Sequence, residues 1–161
     1  MSGEQHRAGA PQGLDGKGLR IGIVRARWNG PIVDRLADGV RRGLRGLGVV
    51  DEDVVEMTVP GSFEVPFGAR VLATSGAVDA VVCIGAVIRG ETTHYDLVAG
   101  ECAAGVQQVQ LSTGVPVAFG VLTTEDEPQA LARSEAPGGH NVGEEAAWAA
   151  VEMATHTRTF G

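Results

Sequence analysis

The chain has 161 residues and a formal net charge of −7, with 43% of its residues hydrophobic and 20% charged. That length suits one domain with a sizeable core, and the acidic balance, without a basic cluster carrying interleaved aromatic residues, disfavours binding to nucleic-acid phosphates. No apolar run is long enough to span a membrane, and the first residues resemble neither a signal peptide nor an arginine-rich targeting helix, so a cytoplasmic location is expected.

The predicted elements follow a glycine-rich polar segment, residues 1–18, expected to be flexible or to form a strand completed by a neighbouring subunit. Short apolar runs favour strands, and apolar residues at helical spacing favour helices between them. The predicted strands are 19–27, 54–60, 79–88 and 115–124, and the predicted helices are 31–48, 65–76, 94–112, 126–133 and 143–156. The third strand is apolar on both faces and should be central, whereas Pro116 places the fourth at a sheet edge.

This regular alternation of strands and helices predicts right-handed crossovers and a parallel sheet covered on both faces. The expected fold is a flavodoxin-like, three-layer α/β/α sandwich with a four-stranded parallel sheet. Ligands of such sheets bind outside the carboxyl ends of the strands. The segments at those ends are RARWNG, VPGSFE, IRGETTHYD and FGVLTTED, and all four are rich in polar groups. A binding site is therefore expected along this edge.

The segment GETTHYD, which follows the third strand, has the composition of an anion site. Thr93 and Asp96 fit a capping box, and the N–H groups of Glu91, Thr92 and Thr93 at the positive end of a helix would bind a phosphate. The alternative is that the threonines only cap the helix. His94 follows at once and suits proton transfer, although a lone histidine is often structural or merely solvated.

Two further segments at the same edge carry groups suited to a polar heterocycle. Trp28 would stack on a flat ring and Asn29 would bind a hydroxyl, unless Trp28 belongs to the core or to an interface. The N–H groups of Ser62 and Phe63 and the carboxylate of Glu64 suit a polyol or a ring amide. The alternative for this second segment is a helix entry in which Ser62 and Glu64 only stabilise the first turn.

Three other side chains need an interpretation. Arg133 lies on a predicted helix after the fourth strand and would clamp a phosphate with two parallel hydrogen bonds, although most helix arginines are simply solvated. Cys83 lies within an apolar strand and Cys102 on a helix face. Both are expected to be buried, reduced thiols, not part of a disulfide or a metal site.

Five blocks of the sequence resemble the 6,7-dimethyl-8-ribityllumazine synthase family in order and spacing. They are VRARWNG, VPGSFEVPFGA, GAVIRGETTHYD, FGVLTTE and GEEAAWAAVEMA, and the resemblance runs from about Leu19 to Thr155. It implies condensation of 5-amino-6-(D-ribitylamino)uracil with 3,4-dihydroxy-2-butanone 4-phosphate, the penultimate step of riboflavin biosynthesis. The reaction forms a Schiff base, loses phosphate and closes a ring, without a metal or an organic cofactor.

The resemblance also implies a role for each candidate residue. Trp28 would stack on the pyrimidine, and His94 would relay protons. The other residues implied at the pyrimidine and its ribityl chain are Asn29, Ser62, Phe63, Glu64, Val87, Ile88 and Phe119. The residues implied at the phosphate are Gly90, Glu91, Thr92 and Arg133.

The resemblance further implies an assembly, because the family is built on pentamers whose active sites are shared between neighbours. Residues before Leu19 would pair with the adjacent sheet. The turn RSEAPGGHNVG, residues 133–143, is one residue longer than the RAGTKAGNKG typical of members that form 60-subunit shells. This difference favours a free homopentamer, with riboflavin synthase as a candidate partner.

One departure from the family pattern bears on activity. Val142 stands where many members have a lysine near the phosphate and the reacting atoms, and the only lysine of this chain is Lys17. Arg89 and His140 are candidate substitutes for the missing cation. The loss of a cation leaves two alternatives to the enzyme: a weakened paralogue that binds riboflavin or a lumazine, and a structural shell or scaffold.

The residues retained from the family pattern weigh against both alternatives. Glu64, His94 and Arg133 all stand at the matching positions. A protein that only binds flavin or only builds a shell would not need this acid, imidazole and guanidinium together. The sequence therefore favours catalysis.

Overall fold

In the computed structural model, which describes residues 9–161, the chain forms four β-strands and five α-helices. The strands are β1 (Ile21–Ala26), β2 (Val54–Val59), β3 (Ala80–Ile88) and β4 (Val117–Thr124). The helices are α1 (Gly30–Gly46), α2 (Val65–Ala73), α3 (His94–Thr113), α4 (Glu127–Ala132) and α5 (Val142–Phe160). These elements confirm the predicted order, and α5 ends four residues later than the predicted 156.

The strands form one parallel sheet in the order β2-β1-β3-β4. The register pairs Ile21 with both Val54 and Ala80, and Val81 with Val117. The first eight residues of β3 are buried, as expected for a central strand, and β4 is an edge strand preceded by Pro116. The structure therefore confirms that β3 is central and that β4 lies at an edge of the sheet.

Two hydrophobic clusters cover the two faces of the sheet and complete the three-layer sandwich. On one face the helical stripe of α1, including Leu36 and Val40, packs with alanines of α5 against Ile23 of β1. On the other face α2 and α3 contribute Ala69 and Val106. Strand residues alternate between the faces, because successive side chains point to opposite sides of a strand. The flavodoxin-like fold is confirmed.

Both cysteines lie in the cluster beneath α2 and α3, and both are buried free thiols. Burial raises the pKa of Cys102 to about 12. Burial and the nearby Cys102 also raise the pKa of Cys83. The prediction of buried, reduced thiols is confirmed, and the raised pKa values favour the protonated, less reactive form.

The amino end of the sheet is closed by a short, complete set of polar contacts. The backbone N–H of Arg20 donates to Asp79 Oδ2 at 2.8 Å. The backbone N–H of Asp79 donates to Arg20 O at 2.7 Å. The guanidinium of Arg20 adds contacts to Asp79 Oδ1 at 3.2 Å and to Gly76 O at 3.2 Å. Burial raises the pKa of Asp79, but the hydrogen bonds and charge of Arg20 outweigh it, so that the pKa lies below its usual value.

Contact with the domain begins before Leu19. Gly16 is buried, and its N–H donates to Leu47 O at 2.6 Å. The division of the chain into a flexible segment 1–18 and a domain 19–161 stays a prediction, and residues 1–8 lie outside the described residues. No helix in the described part of the chain is long and apolar enough to cross a membrane.

Candidate active site

A cavity of about 480 Å³ opens at the carboxyl ends of β1, β2 and β3, the sheet edge where the sequence predicts a site. Eight of the residues proposed from the sequence lie around it: Trp28, Asn29, Ser62, Phe63, Glu64, Val87, Ile88 and His94. Three lining residues were not proposed, and these are Ala86, Leu97 and Val98. Strand ends and the start of α3 thus converge on one volume, as the parallel topology requires.

The turn from β1 into α1 is tied to both neighbouring strands. Arg27 N–H donates to Val59 O at 2.9 Å and Trp28 N–H donates to Pro60 O at 3.0 Å, which joins the turn to the end of β2. Asn29 has φ 60°, in the left-handed region that asparagine tolerates better than most residues, and its Nδ2 donates to Ala86 O at 2.8 Å. These contacts fix the backbone from which Trp28 reaches the cavity.

The indole of Trp28 lies directly on the backbone of Gly61. A Cβ atom at position 61 would overlap the ring atoms Cε3 and Cζ3 of Trp28. The ring is nevertheless 64% exposed, so it is a rim residue of the cavity and not a core residue. The alternative of a core tryptophan is thereby wrong for the single chain, and the large apolar face of Trp28 is available to a flat ligand.

The segment after β2 combines a local structural role with a place at the cavity. Glu64 Oε2 accepts a hydrogen bond from Gly61 N–H at 3.2 Å, and Glu64 N–H donates to Gly61 O at 3.1 Å. Ser62 is buried, and Gly85 leaves room for its hydroxyl. Phe63 is 57% exposed at the rim. Glu64 therefore stabilises the helix entry and lines the cavity at once.

The capping box predicted for Thr93 and Asp96 is wrong. Thr93 has helical backbone angles, φ −72° and ψ 0°, in place of the extended angles typical of a capping residue, and its side chain makes no capping hydrogen bond. Thr92 Oγ1 accepts from His94 N–H at 3.3 Å instead. The Asp96 carboxylate turns to Arg89 Nη2 at 3.4 Å.

His94 is the first residue of α3 and lines the cavity. Among residues 9–161 its imidazole has no hydrogen-bond partner, so both ring nitrogens are open to a ligand. Leu97 and Val98, one turn further along the helix, line the cavity on the same side. Spacing of three and four residues from His94 is the sequence signal that would have found them.

Arg89, at the end of β3, is held by groups from both neighbouring elements. Its N–H donates to Thr124 O at 2.8 Å, and its Nε lies 2.7 Å from Glu125 Oε2. Its Cζ lies 4.3 Å from the ring centroid of Tyr95, a cation–π contact. Burial lowers the pKa of Arg89, but the attraction of Glu125 and Asp96 outweighs it and raises the pKa.

His140, the other candidate substitute for the missing lysine, also has acidic neighbours. Its Nε2 lies 3.3 Å from Glu145 Oε1, and its backbone N–H donates to Glu135 Oε1 at 3.0 Å. Val142 begins α5 and packs partly against the cluster beneath α1. Both candidate cations are therefore already paired with carboxylates.

Five of the residues proposed from the sequence do not line the cavity of the single chain. Gly90, Glu91 and Thr92 are exposed in the loop between β3 and α3. Phe119 lies on edge strand β4, opposite Cys83 in the register, and is 38% exposed. Arg133 follows α4, where its Nη1 donates to Gln129 O at 2.9 Å. Among the described residues, no group of three or more His, Cys, Asp or Glu side chains is placed to hold a metal ion.

Comparison with known proteins gives a consistent result. Residues 18–158 match the sequence profile of the family described as 6,7-dimethyl-8-ribityllumazine synthase. A protein of that name from Paraburkholderia phymatum is 50% identical over 141 residues, which is 88% of this chain and 79% of the relative. A protein of the same name from Burkholderia multivorans is 48% identical over 89% of this chain and 81% of the relative. Another from Cupriavidus metallidurans is 48% identical over 88% of this chain and 80% of the relative.

Proposed function

The chain belongs to the 6,7-dimethyl-8-ribityllumazine synthase family, and from this premise we propose that its cavity is the site of that synthesis. The enzyme is a transferase of riboflavin biosynthesis that joins 5-amino-6-(D-ribitylamino)uracil to 3,4-dihydroxy-2-butanone 4-phosphate. The observation that carries the proposal is that one cavity of about 480 Å³ brings together a rim indole, a carboxylate and an imidazole. That volume suits a substrate of this size.

The pyrimidine would bind between Trp28 and the apolar end of β3. The exposed face of the Trp28 indole provides stacking surface, and Val87 and Ile88 add apolar lining at the end of β3. Asn29, Ser62, Phe63 and Glu64 would hold the ribityl hydroxyls and the ring amide. Because Glu64 uses Oε2 for Gly61 N–H, its other oxygen would accept from the substrate.

His94 would carry the proton transfers of the condensation. The amine of the pyrimidine attacks the ketone, and water leaves as the Schiff base forms. Phosphate then leaves, and attack by the ribitylamino nitrogen closes the ring with loss of a second water. Each water needs a proton on its leaving oxygen, which an imidazole open to ligand can deliver and later recover. Reactants held side by side supply much of the remaining acceleration.

The phosphate would bind in the loop before α3, with a contribution from a second subunit. Gly90, Glu91 and Thr92 precede the positive end of a 20-residue helix, which favours an anion. Phe119 and Arg133 would complete the neighbour's site. We expect this sharing because Phe119 on β4 and the partly buried Arg133 after α4 are not among the residues around the chain's own cavity.

The surface of the chain supports association into a homopentamer. Phe67 of α2 and Leu97 and Leu111 of α3 are each more than 60% exposed, and such large apolar side chains are typical of an interface. The longer turn at 133–143 favours a free pentamer over a 60-subunit shell. Riboflavin synthase, which consumes the product, is a candidate partner. The two free thiols suit the reducing cytoplasm as the location.

Purified protein mixed with the two substrates tests the activity. We expect the lumazine chromophore to appear faster than in a protein-free control, which measures the spontaneous condensation. A protein that accelerates nothing yet quenches riboflavin fluorescence would be the flavin-binding paralogue. A protein that does neither yet scatters as a large particle would be a scaffold.

Mixed assemblies test whether the site is shared. His94→Ala and Arg133→Ala subunits, each inactive or weak alone, should regain activity when co-assembled, because some sites would then contain both intact residues. No gain over the separate variants would place both residues in one subunit's site.

Light scattering tests the size of the assembly. A pentamer of 16.6-kDa copies has a mass of about 80 kDa, whereas a 60-subunit shell has a mass of about a megadalton.

A further inference from the structure

Two acidic residues lie on the elements that adjoin the loop proposed to bind the phosphate, and this loop itself contains Glu91. Asp96 lies in the first turn of α3, and Glu125 directly follows β4. Both carboxylates contact the same guanidinium, that of Arg89, at 3.4 and 2.7 Å. The whole chain has a net charge of −7, so no general excess of positive charge offsets them.

A phosphate monoester carries about −1.5 to −2 charges at neutral pH. If Arg89 were neutral, two carboxylates would remain beside the start of the helix whose N–H groups are proposed to bind that phosphate. Their side chains are 58% and 59% exposed, which leaves their charges partly screened by water and salt but not removed. The repulsion would act on the anionic substrate and not on the neutral pyrimidine.

The geometry of Arg89 does not suit direct binding of the phosphate. Its Nε and Nη2 both face carboxylates, and its guanidinium lies over the Tyr95 ring. Its backbone N–H is bound to Thr124 O, so strand β3 carries the side chain to a fixed place between β4 and α3. Leaving this place would expose two unpaired acids to the incoming anion.

We propose that Arg89 is a positioning residue that neutralises Asp96 and Glu125 and thereby keeps the phosphate loop 90–93 open to an anion, without binding the phosphate itself. This inference rests on the proposed function of the same site. It excludes Arg89 as a substitute for the missing lysine, since the charge of Arg89 is already balanced within the chain.

Four variants of the full-length protein test the proposal: Arg89→Gln, Arg89→Lys, Glu125→Gln and the double variant Arg89→Gln/Glu125→Gln. We expect Arg89→Gln to raise KM for the butanone phosphate about two- to fivefold, the range of exposed charge interactions, with KM for the pyrimidine unchanged. The increase should shrink at high salt, because screening weakens the repulsion. Arg89→Lys, which keeps the charge, should stay near wild type.

The double variant separates neutralisation from direct contact. Under the proposal, removing Glu125's charge returns KM for the phosphate substrate towards wild type, and Glu125→Gln alone leaves it equal or lower. A double variant as weak as Arg89→Gln would show that Arg89 touches the phosphate. An unchanged KM in Arg89→Gln, or equal increases for both substrates, would also overturn the proposal.

Binding of inorganic phosphate by the same four proteins, measured by calorimetry, gives a readout that needs no turnover. If the wild-type protein forms no lumazine, the proposed reaction fails, while the order of phosphate affinities still decides the role of Arg89. If lumazine forms normally and the affinities do not follow the charges, only the role of Arg89 fails. Melting temperatures within a few degrees of wild type show that the variants are folded.

Discussion

At the amino end of the sheet Asp79 and Arg20 satisfy each other through backbone and side-chain hydrogen bonds, whereas at the carboxyl end Trp28 and Phe63 remain more than half exposed around a cavity. The same four strands run through both ends. The amino end uses its polar groups to close the fold, and the carboxyl end leaves an imidazole and large apolar faces available. Contacts that stabilise the fold thus lie at the amino end of the strands, and groups open to a ligand lie at the carboxyl end.

The topology of the sheet explains why the cavity lies at the carboxyl ends of the strands. In the sheet, β2 lies beside β1 on one side and β3 lies beside β1 on the other. The connection after β1 therefore runs towards one edge of the sheet, and the connection after β3 runs towards the opposite edge. A crevice forms at such a switch point outside the carboxyl ends. The hydrogen bond from Asn29 Nδ2 to Ala86 O, 2.8 Å long, spans this point and joins the ends of β1 and β3.

If the carboxyl end of the sheet carries the chemistry, the largest effect on activity is expected from a change at His94. His94→Ala should lower kcat about 10- to 100-fold, because the proposed proton relay would be lost while bound substrates still condense spontaneously. His156→Ala is the matched control, since His156 lies near the end of α5 and is more than half exposed. Steady-state kinetics across pH 6–8 provide the measurement. Equal kcat values for wild type and His94→Ala would remove His94 from the mechanism.

The next effect concerns Gly61, at the same end of the sheet. Gly61→Ala should displace the indole of Trp28, because the added methyl group overlaps its ring, and should raise KM for the pyrimidine about three- to tenfold. Gly76→Ala is the control near the amino end. Gly76 has φ +77° and open space around it, so this change strains the backbone without touching the cavity.

Kinetics and melting curves on both glycine variants separate the two ends. Gly76→Ala should lower the melting temperature and leave KM near wild type. A similar rise of KM in both variants would mean that Gly61→Ala acts through general loss of stability. Fluorescence of Trp28 adds a direct report on the displacement, with Trp148 as the second emitter in the chain.

The division between the ends also explains how much the sequence could predict. Apolar runs and helical spacing are local signals, so strands, helices, the central place of β3 and the edge place of β4 all followed from them. Six lining residues followed because the carboxyl ends of parallel strands must meet, and Val87 and Ile88 followed from the family resemblance. Neither inference needed side-chain geometry.

Finer features of the site depend on geometry that a sequence does not contain. Of the adjacent hydroxyls of Thr92 and Thr93, it is that of Thr92 that accepts from His94 N–H, which the sequence does not distinguish. Leu97 and Val98 could have been found from their helical spacing to His94, but only once His94 was known to face the cavity. The contact of Trp28 with Gly61 joins two loops whose distance in space is set by the whole sheet.

A smaller effect is expected from restoring a cation at position 142. Val142→Lys should improve kcat/KM for the phosphate substrate about fivefold, less than a full charge-assisted contact provides, because the positive end of α5 opposes a lysine there. The lysine stem can keep the apolar packing of Val142. KM for the pyrimidine should not change.

Two controls sharpen this result. Val142→Met has a similar length without charge, so equal improvement by both variants would exclude an electrostatic cause. His140→Ala should cost little, because His140 is paired with Glu145. A large loss in His140→Ala, together with no gain in Val142→Lys, would show that His140 already supplies the cation.

The smallest effect belongs to the amino end. Asp79→Asn should lower the melting temperature by about 2 °C at neutral pH, since a partly exposed ion pair contributes at most about 1 kcal/mol, and should leave both KM values unchanged. The pKa of Asp79 is lower in the folded chain than its ordinary 3.8, so the carboxylate stabilises the fold above that pH and loses this contribution as the pH falls further. The difference from wild type should therefore fade below about pH 4. Asp51→Asn removes a more exposed partner, that of Arg45, and should change the melting temperature less. If Asp79→Asn instead shifted KM as strongly as Gly61→Ala, the two ends of the sheet would be coupled, and the amino end would have to be counted as part of the site.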